Sequence, residues 1–106
     1  HKLNNLIEMI DFNKWQATGK GCDVMQLEPL KEKWESFGWK ALDIDGNNMS
    51  EIVQAFNNIA HDKPTAIIAH TVKGKGISFM ENDNNWHYRI PNKEEVLSAK
   101  GELNIL

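Results

Sequence analysis

The run Ala66 to Val72, AIIAHTV, constrains the fold more than any other stretch of this chain. It is short, continuous and rich in β-branched residues rather than alternating. That pattern predicts a strand buried on both faces, as in parallel sheets with helices above and below. Lys73-Gly74-Lys75-Gly76 follows at once. Glycines let the backbone approach a ligand closely and lysines supply positive charge, a combination suited to an anionic group such as phosphate. In open α/β sheets ligands sit outside the carboxyl ends of strands, where this loop falls. The same tetrapeptide also reads as a solvated turn, because short basic glycine loops are weak motifs.

The rest of the chain supplies companions for that strand. Leu6 to Phe12 reads as a first strand, and Asn13 to Cys22, rich in turn formers, as a loop at its carboxyl end. Pro29 fits the first turn of a helix whose apolar stripe is Leu30, Trp34 and Phe37, stopped by Gly38. Trp39 to Ile44 predicts a second strand, ended by the turn Asp45 to Asn48. Ser50 is the expected cap of the next helix, with Ile52, Val53, Ala55, Phe56 and Ile59 facing inward. Ile77 to Trp86 reads as loop. Asn92 and Glu95 have the spacing of a capping box for a last helix carrying Val96 and Leu97, which Gly101 is expected to end. The expected fold class is α/β: a three-layer α/β/α arrangement with about three parallel strands and helical crossovers. So small a parallel sheet has open edges and faces that need cover, so it is expected to be a partial domain.

Composition excludes several function classes. A formal net charge of -3 with no basic run argues against nucleic acid as a partner. Cys22 is the single cysteine, which rules out an internal disulfide and fits a reducing, cytoplasmic setting. No apolar run is long enough to span a membrane, and no leader is evident. The chain starts at His1 with strand-like sequence close behind, so an upstream segment is expected.

Several residues are candidates for chemistry. Asn13 offers a neutral, hard oxygen suited to Mg²⁺ or Ca²⁺, and the carbonyl of Trp15 is a possible second ligand; an Asn in a turn is, however, more often only a turn former. His87, between Trp86 and Tyr88, follows a loop long enough to fold back over the strand ends. It is able to donate to a phosphate or move a proton near neutral pH, or else to serve only as a surface histidine. His61 and His70 read as structural, Cys22 as an ordinary small residue, and the four tryptophans mostly as core.

Taken in order, IDFNKWQATG, LEPLKEKWESFGW, DIDGNN, KPTAIIAHTVKGKGISFMEN and NWHYRIPNKEE resemble the thiamine-diphosphate-binding domain of transketolases, especially the separate amino-terminal subunit of split bacterial enzymes. The resemblance implies thiamine diphosphate and Mg²⁺ (or Ca²⁺ or Mn²⁺) as cofactors, and transfer of a two-carbon ketol unit between sugar phosphates. It implies that Asn13 and the Trp15 carbonyl hold the metal. Lys73, in the Thr71-x-Lys73-Gly74-x-Gly76 loop, would face the cofactor and substrate channel. Ala17 would lie against the thiazolium ring. His87 would contact the diphosphate and the reacting oxygens, and Arg89 would bind substrate. A C-terminal transketolase subunit or domain is implied as partner, in a homodimer or heterotetramer. Residues 1–106 would then be the C-terminal portion of the domain, with the family's Gly-Asp-Gly element upstream. Two departures stand out: Thr18-Gly19 where relatives have Asp-Gly, and Tyr88 where they have glycine. The second implies an altered acceptor pocket, and with it an unusual sugar phosphate as an alternative substrate. A non-catalytic interaction module is the reading from a different class.

Overall fold

The computed structural model describes residues 3–105. Strand β1 (Ile7–Phe12) is followed by a small hairpin, β2 (Trp15–Gln16) and β3 (Gly19–Lys20), and then by the short helix α1 (Gly21–Val24). Helix α2 (Leu30–Ser36), strand β4 (Lys40–Asp45), helix α3 (Met49–Asn57) and strand β5 (Thr65–His70) come next. A 3₁₀ turn (Asn84–His87) and helix α4 (Lys93–Glu102) complete the chain.

The main sheet has the order β1-β5-β4 and is parallel throughout. β5 is central because only its side chains are apolar or small enough to be covered on both faces. Thr65, Ala66, Ile67, Ile68 and Ala69 are all buried, whereas β1 and β4 alternate with polar residues. Register sets the faces, since paired residues point the same way. Phe12, His70 and Asp45 lie level, with Ile10, Ile68 and Asp43 two residues earlier on the same face. α2 covers that face, and the Lys31 ammonium stands 3.9 Å from the Asp43 carboxylate. Thr65, Ile67 and Ala69 face the other way, where the Ala60 amide just past α3 donates to the Thr65 hydroxyl at 2.9 Å. The three-layer parallel arrangement therefore follows the pattern expected from the sequence.

The core is thin. Among the described residues its buried apolar members are Ala41, Ala55, Ala66, Ile67, Ile68 and Ala69, of which only Ile67 and Ile68 have large side chains. The radius of gyration is 16.8 Å, against about 13 Å for a compact domain of 100 residues. α4 has no buried residue and is tied to the preceding loop through the Glu102 carboxylate, which accepts from the Ser78 amide (2.6 Å) and hydroxyl (2.9 Å).

Several local expectations need correction. The segment after β1 is a hairpin and a helical turn rather than plain loop, and Cys22 lies within α1. Phe37 is 83% exposed and belongs to no apolar stripe. α3 is capped by Asn48 rather than Ser50; placed just before Met49, the Asn48 side chain reaches and accepts from the amides of Ser50 and Glu51. Val53 and Phe56 are exposed, because β4 is a single edge strand and Ala55 suffices to cover it. Gly101 lies inside α4, and Leu103 closes the helix. The tryptophans are half-buried rather than core, with Trp34 and Trp39 packed edge to face at 4.7 Å. The Asn92 capping box is present, both partners bonded.

Candidate functional site

Because Phe12, His70 and Asp45 are level, the three strands end on one line, and Asn13, Thr71 and Gly46 leave the sheet side by side. The exits are fastened to one another. The Gly46 amide donates to the His70 carbonyl at 2.8 Å. The Val72 amide donates to the Asn47 side-chain oxygen at 2.9 Å, and the Thr71 hydroxyl donates to the Asp11 carboxylate. A Cβ on Gly46 would lie 2.6 Å from the Thr71 methyl, so only glycine permits this approach of the two exits.

Above this line lies a cavity of about 850 Å³, bounded by Asn13, Trp15, Lys20, Asp45, Asn47 and His70 among others, a size suited to a cofactor or other small ligand. Its far wall, Gln26 to Glu28, is held by the Lys33 ammonium, which donates to the Leu27 carbonyl at 2.7 Å. The turn into the hairpin is tight. Asn13 Oδ1 accepts from the Trp15 amide at 2.9 Å, the Gly21 amide donates to the Lys14 carbonyl at 2.8 Å, and Lys14 between them has φ 66°. A non-glycine residue in the left-handed region costs on the order of 1–2 kcal/mol, sustained here by the surrounding bonds. An amide oxygen has two lone pairs, so Asn13 Oδ1 keeps one acceptor position after the Trp15 bond. That oxygen is hard enough to ligate a divalent cation, and Lys14 and Lys20 line the same cavity, where their charge suits an anionic group carried by the cation.

Two cavities take up most of the candidate residues, with His87 and Lys73 outside both. Asn13 and Trp15 are half-buried and line the large cavity. Ala17, Tyr88 and Arg89 line a second, shallower cavity of about 540 Å³, together with Asn84 and Asn85. His87 is exposed on the 3₁₀ turn, edge to face with Tyr88 at 4.6 Å. Arg89 stacks over Trp86 at 4.3 Å and bonds the Glu95 carboxylate. Lys73 is half-buried just past β5 and does not line the large cavity; its carbonyl accepts from the Asn82 amide at 2.9 Å, and Asn82 does line it. Among the described residues, no cluster of three or more His, Cys, Asp or Glu is arranged to hold a metal.

Other residues of this site were not evident from the sequence. His70, read as structural, lines the large cavity while its Nε2 pairs with Asp43 at 2.8 Å. Asn47 and Asn84 were turn and loop residues in the sequence. The position of Asn47 at a strand's carboxyl end is the one signal that points to it, whereas the bonds of Asn84 span 68 residues and have no local signature.

Comparison with known proteins identifies the family and the fold. Residues 1–105 match the family model described as transketolase, thiamine diphosphate binding domain. The chain is 39% identical over 105 residues to one of the subunits of apulose-4-phosphate transketolase from Phocaeicola vulgatus, covering 97% of this chain and 37% of that protein. It is 40% identical over 104 residues to the 6-deoxy-6-sulfo-D-fructose transketolase subunit SqwG of a Clostridium species, covering 96% and 38%. The crystal structure of transketolase from Campylobacter jejuni superposes with a TM-score of 0.90 at 30% identity, covering 98% of this chain and 16% of that one. The chain thus spans a little over a third of the length of these curated relatives.

Proposed function

The chain belongs to the transketolase thiamine-diphosphate-binding-domain family, and on that premise we propose that it carries the cofactor site of a transferase moving two-carbon ketol units between sugar phosphates in the cytoplasm. The observation that carries this reading is Asn13, a half-buried amide oxygen with a free acceptor position at the level where the three strands end. Asn13 Oδ1 and the Trp15 carbonyl would hold Mg²⁺ or a similar cation. Thiamine diphosphate, when bound, supplies the electron sink that cleavage of a C–C bond beside a carbonyl requires.

The chain's own residues do the rest. Lys73 adds positive charge beside the channel, and Ala17 presents an apolar surface at the hairpin tip. His87, exposed and unencumbered by an ion pair among the described residues, donates a proton or hydrogen bond to oxygens that gain charge. Arg89 binds the anionic end of the substrate, exchanging part of its bond to Glu95. The sequence contains no Gly-Asp-Gly, whose carboxylate is the family's other metal ligand. A partner is implied by the relatives, which are named as single subunits of their transketolases. That partner, a C-terminal subunit or domain, together with the Gly-Asp-Gly element that the resemblance places upstream, would complete the site in a homodimer or heterotetramer.

Tyr88 favours a sugar outside the common set. The residue is 74% exposed beside His87 and lines the shallow cavity with Arg89, and the two relatives above are named for apulose 4-phosphate and a sulfonated fructose. The test is ketol transfer by the full chain with its partner subunit, using those two sugars and an unbranched ketose phosphate as donors. We expect transfer with at least one, a fall in kcat of about 100-fold or more for His87→Ala, and a changed donor preference for Tyr88→Gly. Absence of transfer with every donor would move the protein to the class of interaction modules.

A further inference from the structure

The hairpin that begins at Trp15, just past Asn13, and the turn that carries His87 are separate elements, and the side chain of Asn84 joins them. Its amide nitrogen donates to two consecutive carbonyls at the hairpin tip, Gln16 at 3.1 Å and Ala17 at 3.2 Å. Gln16 ends β2 and Ala17 begins the two-residue connection to β3. Asn84 opens the 3₁₀ turn whose last residue is His87. The Asp83 carboxylate caps that turn by accepting from the Asn85 amide at 3.0 Å. Its far side is anchored by Trp86, whose indole Nε1 donates to the Phe79 carbonyl at 3.0 Å. The turn is therefore fixed at two points, and Asn84 is the one that reaches the hairpin next to Asn13 and Trp15.

The hairpin needs such a tie. Its ladder is two residues long on each strand, and its tip, Ala17 and Thr18, is exposed. A two-stranded ribbon this short is not stable by itself in water. Resting on the reading given under Proposed function, we propose that Asn84 is a positioning residue: it sets the place of the Asn13–Trp15 metal loop relative to His87, so that metal affinity depends on a side chain that touches no metal ligand. The chemistry is specific to a donor. One amide nitrogen, which carries two hydrogens, reaches two carbonyl oxygens, so an isosteric carboxylate at this position would face two oxygens with none to give.

The test uses the full chain assembled with its partner subunit, in four forms: wild type, Asn84→Asp, Asn84→Ala and Asn84→Gln. Amide exchange by mass spectrometry follows the segment 13–20, with β5 as the internal control for folding. In parallel, the Mg²⁺ concentration for half-maximal binding is measured at saturating thiamine diphosphate. We expect exchange of 13–20 to rise about tenfold in Asn84→Asp and Asn84→Ala, with β5 unchanged, and the Mg²⁺ half-saturation to rise several-fold. Asn84→Gln, which keeps the donor, should restore part of both. A purely structural role would lower the folded fraction and leave the Mg²⁺ half-saturation of the folded protein where it was. Unchanged exchange and half-saturation in Asn84→Asp would overturn the proposal while leaving the transketolase reading standing. Loss of Mg²⁺-dependent cofactor binding in the wild type would overturn that reading, and the positioning role with it, whatever the exchange shows.

Discussion

Strand β5 and the segment from Ile77 to Glu102 are held by different forces. In β5, Thr65 to Ala69 are all buried, Ile67 completely so, and each of its residues pairs with a neighbour on both sides. From Ile77 onward no residue among those described is buried. The segment is fixed instead by single side chains donating to or accepting from backbone: Trp86 to Phe79, Asn84 to the hairpin, Glu95 with Asn92, and Ser78 to Glu102. Burial of apolar surface is cooperative and hard to alter at one point, whereas hydrogen bonds to exposed backbone contribute about 1 kcal/mol apiece and open locally. The sheet supplies a fixed edge, and the candidate chemistry is mounted on parts that adjust.

Three substitutions test that contrast. Ile67→Ala removes a fully buried side chain from the central strand, and we expect a loss of about 2–5 kcal/mol in denaturant unfolding. A loss below about 1 kcal/mol would mean that β5 is not the organising element. Asn92→Ala removes the capping box of α4, with an expected cost of about 1 kcal/mol. That loss should appear as faster amide exchange in 93–102 while β5 stays protected, and exchange spreading into β5 would show that the two regions are coupled. Phe37→Ser should shift stability by no more than about 0.5 kcal/mol, because the residue is 83% exposed. A larger loss, measured in the same unfolding experiment on the chain with its partner, would reveal that another surface covers it.

The same contrast explains what could be read from the sequence. β5 was legible because a continuous apolar run has few other uses, and the α4 start because Asn92 and Glu95 interact across a fixed local spacing. The hairpin was not, since two residues per strand show no period. The stripe assigned to α2 overreached at Phe37 because the helix ends at Ser36 and turns at Gly38, which has φ 84°. On α3, Val53 and Phe56 read as core because sequence reports what a face is able to bury, not how much surface a single edge strand offers it. At the site, Asn13 was visible from its place at a strand end. The ties made by Asn47, His70 and Asn84 were not, because each joins residues at least 25 apart.

The central claim is that the strand-end Asn13 holds the metal that anchors thiamine diphosphate. Its most direct test is calorimetric titration of thiamine diphosphate with Mg²⁺ into the full chain and its partner subunit, wild type beside Asn13→Ala. The account predicts saturable, Mg²⁺-dependent binding that weakens at least about tenfold in Asn13→Ala. Equal binding by the two proteins, or none by either, would contradict it.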